Sequence, residues 1–180
     1  VNNVDGIIYG YNPVHRIYQG RGEPAGIDEH FLLQCYDPIT DFGCDSLCVW
    51  LTFQGKAPEP IILKAASSFT NKTGAERNFA FEAEGHDFES MMQQTAQQWI
   101  DRLHTIDVED SDIAKVNQFY GALYRASFLP REMSDTDGTY PKFANGELVE
   151  GSERKYYGDF SMWDTYRALH PLYTLIAPQE

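Results

Sequence analysis

The hydrophobic pattern of this chain changes period once, at Gly85, and that change limits the fold more than any other feature. Before it, short extended segments at 7–11, 29–36, 47–53, 61–67 and 78–82 are separated by turn residues, the writing of an antiparallel sheet. Within 29–36, Phe31, Leu33 and Cys35 alternate with His30, Leu32 and Gln34, and the near-continuous apolarity calls for cover on both faces. A sandwich is expected rather than an open sheet. After Gly85, the residues Phe88, Met91, Met92, Ala96, Trp99, Ile100 and Leu103 recur at three and four, the spacing of one helical face, with Asp87 placed as N-cap. A second helix is expected over about 112–128, with Val116, Phe119, Tyr120 and Leu123 on its apolar stripe and Pro130 past its end. A third piece starts near Ser161 and meets Pro171, where a kink or a restart is expected. A strand-rich half followed by a helix-rich half gives an α+β class. The stretch between Pro130 and Gly158 has no period and is punctuated by Gly138, Pro141, Gly146 and Gly151, as a long functional loop would be.

A length of 180 residues with 42% hydrophobic and 14% aromatic content can furnish a core. The net charge of −13, from 27 acidic against 14 basic residues, sets the surface against nucleic acid and anionic membranes but leaves neutral ligands open. No apolar run approaches the roughly 20 residues needed to insert through a bilayer, so membrane insertion is not expected. The first residues lack the basic and apolar regions of a signal peptide. Of the three cysteines, Cys35 lies in a strand-like run where a buried free thiol is the commoner state. Cys44 and Cys48 have too few companions at metal-ligand spacing to suggest zinc, and a bridge among the three is permitted without being required.

Several motifs fail on inspection. Gly20-Arg21-Gly22-Glu23-Pro24-Ala25 matches a dinucleotide fingerprint only formally, because Pro24 and the following strand deny the helix that the motif must open. A loop is the better reading of that stretch. Ser134-Asp135-Thr136-Asp137-Gly138 has the look of a calcium loop, yet an EF-hand register would put Met133 first and Ala144 last, where carboxylates are needed. Asp137-Gly138 reads more simply as a turn. The five histidines, His15, His30, His86, His104 and His170, keep no triad company. Asn71-Lys72-Thr73 is a formal glycosylation acceptor.

The segment 160–172, Phe-Ser-Met-Trp-Asp-Thr-Tyr-Arg-Ala-Leu-His-Pro-Leu, carries the chemistry. Trp163 can stack on the apolar face of a pyranose, Asp164 can accept from two vicinal hydroxyls, and Arg167, one helical turn on, can orient that carboxylate. The same trio also suits a buried aromatic beside a structural ion pair. In wording, the segment resembles family-92 glycoside hydrolases, calcium-dependent exo-acting α-mannosidases, whose matching stretch reads Phe-Ser-Leu-Trp-Asp-Thr-Phe-Arg-Ala-Leu-His-Pro-Leu. Further stretches resemble the family in the same order: Gly10-Tyr11-Asn12 with His15 to Gly20; Ser68-Phe69 with Ala75, Arg77 and Asn78; Trp99, Leu103 and Ile106; and Phe119-Tyr120 with Ala122, Leu123 and Tyr124, leading to Asp135, Asp137, Gly138 and Tyr140. Where the family often continues Arg-Tyr-Arg-Gly, this chain has Thr139-Tyr140-Pro141-Lys142.

The resemblance implies a C-terminal part of a β-sandwich over 1–84, a linker helix over 85–110, and the first helices of an (α/α)6 barrel over 111–180. It implies a parent protein that removes terminal α-linked mannose, α-1,2 in the first instance, from glycans by an inverting, calcium-assisted route. The general acid and base of such a route, roughly 6.5–9.5 Å apart, are expected outside these residues, together with most of the Ca2+ ligands. The chain itself is then expected to be inactive, with Trp163, Asp164 and Arg167 assigned to sugar binding and no catalytic residue named. The expected partners are a mannose-containing glycan and the remainder of the parent polypeptide, in a periplasmic or secreted setting. Two readings stay open beside it: another glycosidase on the same two-domain fold, and a non-catalytic carbohydrate-binding or scaffold module.

Overall fold

The computed structural model describes residues 6–16, 23–45, 48–54, 59–142, 145–160 and 162–180. Ile17 to Gly22, which include the first three residues of the formal fingerprint, lie outside them, as do Leu47 and the expected helix start at Ser161, whereas Glu23 to Ala25, expected in a loop, are strand. The mixed strand and helix content is that of an α+β chain, and it divides into two compact units. One holds the described residues up to Gly85 together with Met133–Arg154; the other holds His86–Glu132 and Lys155–Glu180.

In the first unit, β1 (Ile7–Arg16), β2 (Glu23–Cys35) and β5 (Leu63–Ser68) form an antiparallel sheet in the order β1-β2-β5. Between β2 and β5 the chain makes a separate hairpin of β3 (Ile39–Cys44) and β4 (Val49–Phe53). The register sets Tyr9 beside Leu32 and Leu32 beside Ala66, so these three share one face. Ile8, Leu33 and Ala65 share the other. Buried residues occur on both, Leu32 on the first and Ile8 and Cys35 on the second, so both faces are at least partly covered. Cys35 is a free thiol, and its burial pushes the thiol pKa up. Two further strands of this unit, β7 (Tyr140–Pro141) and β8 (Leu148–Val149), pair in the returning segment.

The cover on the first face is a helix, and here one expectation is corrected. Residues 78–82, read as a strand, belong to α1 (Lys72–Glu82), which packs on β2 and β5. Phe79 and Phe81 alternate with Asn78, Ala80 and Glu82, which imitates a period of two, but Ala75, Phe79 and Ala83 are the buried set, and a spacing of four is a helical stripe. The start is fixed by Asn71, whose side-chain oxygen accepts from the Gly74 N–H at 2.9 Å. The asparagine of the formal glycosylation acceptor is thus the N-cap.

In the second unit, α2 (Phe88–Leu103) and α3 (Ile113–Ala126) follow the helical pattern, capped by Asp87 and Asp112. Trp99 of α2 meets the rings of Tyr124 and Phe128 at centroid distances of 4.5 and 5.7 Å, which seals the contact between the two helices. β6 (Arg131–Glu132) pairs with β9 (Tyr157–Gly158), so the expected loop leaves and re-enters this unit side by side. The chain then forms α4 (Met162–Thr165) and α5 (Leu169–Ile176). The restart expected near Pro171 falls just ahead of it: Pro171 is the third residue of α5, in the first turn, where a missing N–H costs no helical bond.

Candidate functional site

The segment that carries the sugar-binding pattern is held from three directions within the second unit. The Tyr173 hydroxyl of α5 lies 2.5 Å from the Ala126 carbonyl and 2.8 Å from that of Leu129, tying α5 to the end of α3. Arg131 pairs with Asp159, whose φ of 62° turns the chain out of β9. Phe160 stacks on the His170 ring at 5.6 Å, and His170 Nε2 meets the Thr165 hydroxyl at 2.7 Å. Both flanks of α4 are therefore anchored.

On that support Trp163 stands 91% exposed, and Asp164 beside it is exposed too. An indole is seldom left so open in a finished surface, since its large apolar area favours cover. Arg167 is placed differently from a continuous helix. α4 ends at Thr165, and in the turn that follows the Arg167 Nε–H donates to the Tyr166 hydroxyl at 2.7 Å, with the guanidinium 5.5 Å from that ring. Trp163 and Asp164 thus share one short open helix, with Arg167 in the turn just beyond.

The first unit gathers residues that the sequence scatters. Asp135 is only 5% exposed, and its carboxylate accepts from Ser68 Oγ at 2.8 Å, Thr70 Oγ1 at 2.5 Å and Asn78 Nδ2 at 2.8 Å. A buried carboxylate without such donors would cost several kcal/mol, about 1–3 for each group left unsatisfied. Gly74 of α1 packs against this cluster so closely that a side chain there would press on Asp135, Ser68 and Thr70. The turn that presents Asp135 closes through its own backbone: Asp135 N–H donates to Thr139 O and Gly138 N–H to Asp135 O, both at 2.8 Å, with Gly138 at φ 79°.

From this turn Asp137 pairs with Arg77 of α1. Desolvation pushes the Asp137 carboxyl up, but the hydrogen bonds from Thr139 and the Arg77 guanidinium outweigh it and hold its pKa below the ordinary carboxylate value. Beside the pair opens a cleft of about 440 Å³ lined by Thr70, Asn71, Arg77, Asp137, Thr139, Leu148, Glu150 and Gly151. Ser68, Arg77, Asn78, Asp135 and Asp137 were named in the sequence among the residues that carry the family resemblance. Thr70, Thr139 and Glu150 were not, and the run of turn-forming side chains around Gly138 was the available signal for Thr139. Among the described residues no three carboxylate, imidazole or thiol side chains converge as a metal cluster, so no calcium site can be assembled from such groups here.

Comparison with known proteins gives this geometry its context. No curated protein sequence matches the chain. Among solved structures, the family GH92 inverting mannosidase BT2199 from Bacteroides thetaiotaomicron VPI-5482 superimposes with a TM-score of 0.79 at 24% identity, over 97% of this chain and 25% of its own. The family GH92 alpha-mannosidase BT3965 from Bacteroides thetaiotaomicron gives 0.78 at 23%, over 96% and 25%. The GH92 family glycosyl hydrolase ccman5 gives 0.76 at 19%, over 96% and 24%. The likeness to these structures is one of fold, and the chain spans about a quarter of their length. The model of the glycosyl hydrolase family 92 catalytic domain matches residues 74–180, more than half of the chain. These residues include the Arg77, Asn78 and Asp135 cluster and the whole 160–172 segment, and the chain belongs to glycosyl hydrolase family 92.

Proposed function

We propose that this chain is part of a glycosidase that removes terminal α-linked mannose from glycans, α-1,2-linked first, by an inverting, calcium-assisted route. Family membership supports the reaction class, and the solved relatives named as mannosidases, one of them as inverting, support the sugar and the stereochemistry. The observation that carries the site is the exposed Trp163 ring beside Asp164 on an anchored helix. In this reading Trp163 stacks on the mannose ring, Asp164 accepts from its hydroxyls, and Arg167 completes the polar rim.

The chain is read as the end of a β-sandwich over 1–84, a linker helix over 85–110, and the opening of an (α/α)6 barrel over 111–180. Exposed Phe88, Met92, Ile100 and Leu175 supply apolar surface for the remainder of the parent polypeptide to cover. The general acid, the general base and most of the calcium ligands are assigned to that remainder, and the whole is assigned to the periplasm or the exterior. When bound, calcium would polarise sugar hydroxyls.

Release of mannose from an α-1,2-linked mannobiose is the test. The complete gene product is expected to release mannose in the presence of calcium, and the 180-residue chain is expected to release none. Inertness of the complete product overturns the activity. Calcium-dependent release by the 180-residue chain alone overturns the division of labour.

A further inference from the structure

We propose that the cleft beside Arg77 and Asp137, formed within the first unit, is itself a carbohydrate-binding site, built for one neutral hexose unit. The choice of a sugar rests on the glycan reading above, whereas the case for a site rests on the cleft. Its volume of about 440 Å³ falls within the range of small-molecule sites. Three parts of the first unit meet there: Thr70 and Asn71 at the entry to α1, Arg77 one turn into it, and the returning segment with Asp137, Thr139, Leu148 and Glu150.

The available valences decide the ligand class. Asn71 spends its carbonyl oxygen on the Gly74 N–H, which leaves its amide N–H groups to donate. The Asp137 carboxylate takes the Thr139 N–H on one oxygen and Arg77 on the other, leaving further N–H groups on the guanidinium. Glu150 is exposed and makes no hydrogen bond or ion pair among the described residues. Leu148, half open, adds a small apolar surface. The lining thus offers, among the described residues, an unspent acceptor and unspent donors.

An anion is disfavoured, because two carboxylates and one guanidinium line the cleft and the chain carries a net charge of −13. A metal ion is disfavoured by Arg77 at the same wall. A hydroxyl donates and accepts at once, so adjacent ring hydroxyls can bridge Glu150 and the Arg77 or Asn71 donors without placing a charge in the cleft. Behind the wall, the Asp135 cluster fixes the turn that carries Asp137 and Thr139, so the site is preorganised.

The test follows backbone amide resonances of the 180-residue chain during titration with methyl α-D-mannopyranoside. Resonances of Asn71, Thr139 and Gly151 should shift with a Kd in the millimolar range. Glu150→Gln should weaken that binding roughly tenfold, the effect of losing one charge-assisted hydrogen bond. Its urea midpoint should be unchanged, because the wild-type side chain has no partner among the described residues to lose. Cleft resonances that stay still at every attainable sugar concentration overturn the proposal, as does an unaltered Kd in Glu150→Gln. Shifts around Trp163 with a silent cleft would sink this site while sparing the proposed function, and the reverse would sink the Trp163 assignment alone.

Discussion

Asn78 and Asp135, 57 residues apart in sequence, are joined by a hydrogen bond of 2.8 Å from the Asn78 Nδ2 to the Asp135 carboxylate. The same amide nitrogen donates to the Ser67 carbonyl at 2.9 Å, and the amide oxygen accepts from the Thr136 N–H and hydroxyl, both at 3.0 Å. One side chain on α1 therefore spends all its valences joining β5 to the returning loop. Buried polar groups of this kind are far more costly to leave unpaired than they are rewarding to pair.

Asn78→Ala should accordingly destabilise the chain by about 2–3 kcal/mol, because it removes a donor from the buried Asp135 carboxylate and strands the Thr136 N–H. Urea unfolding gives the value. A loss no larger than that of an ordinary surface substitution would mean that the cluster does not hold the loop.

Gly74→Ala separates packing from helix propensity. In an open helix the change would favour folding by about 1 kcal/mol, but here the new methyl group presses on Asp135, Ser68 and Thr70. Overpacking of this kind costs about 1–3 kcal/mol, so a net loss is expected. Gly85→Ala is the control, since nothing lies within 4 Å of the position where its Cβ would stand. Its midpoint should move by no more than about 0.5 kcal/mol equivalent. A stabilised Gly74→Ala would refute the close approach.

The contrast between these elements explains what the sequence could and could not convey. α2 and α3 were legible because each carries its own cap, Asp87 and Asp112, and a stripe spaced at three and four. α1 was not, because its buried stripe is interrupted by Asn78, and its polar burial makes sense only once Asp135 arrives from the far end of the chain. The Asp137-Gly138 turn was readable from local chemistry, and Gly138 does take a positive φ. Its partners Ser68 and Thr70 are 67 and 65 residues from Asp135, a relation that no local period encodes. The 160–172 segment was conspicuous for its residue types, yet the end of α4 at Thr165, which leaves Arg167 facing Tyr166, depends on how Phe160, Thr165 and Tyr173 are anchored.

The Arg77–Asp137 pair has a signature in pH. The folded-state pKa of Asp137 is held below the ordinary carboxylate value, so its contribution to stability is present above the unfolded pKa and is lost as pH falls through the lower, folded pKa. Arg77→Ala removes one of the groups that hold the pKa down, and a carbon-detected titration should show the Asp137 carboxyl moving up toward the ordinary range. Acid unfolding of Asp137→Asn should correspondingly lack that part of the pH dependence. An Asp137 pKa unmoved by loss of Arg77 would leave the ion pair without energetic content.

Trp163 allows function to be separated from folding. A side chain 91% exposed has little apolar area to lose on truncation, so Trp163→Ala should leave the urea midpoint within about 0.5 kcal/mol equivalent of wild type. An aromatic that stacks on a sugar ring should instead be missed at once in binding: removing a stacked, solvent-excluding contact of this type costs about 0.5–1.5 kcal/mol beyond its area. Methyl α-D-mannopyranoside titrated against the two proteins should therefore move the resonances of 162–166 in wild type and barely move them in the variant. If the variant binds as wild type does, the exposed indole serves some other contact.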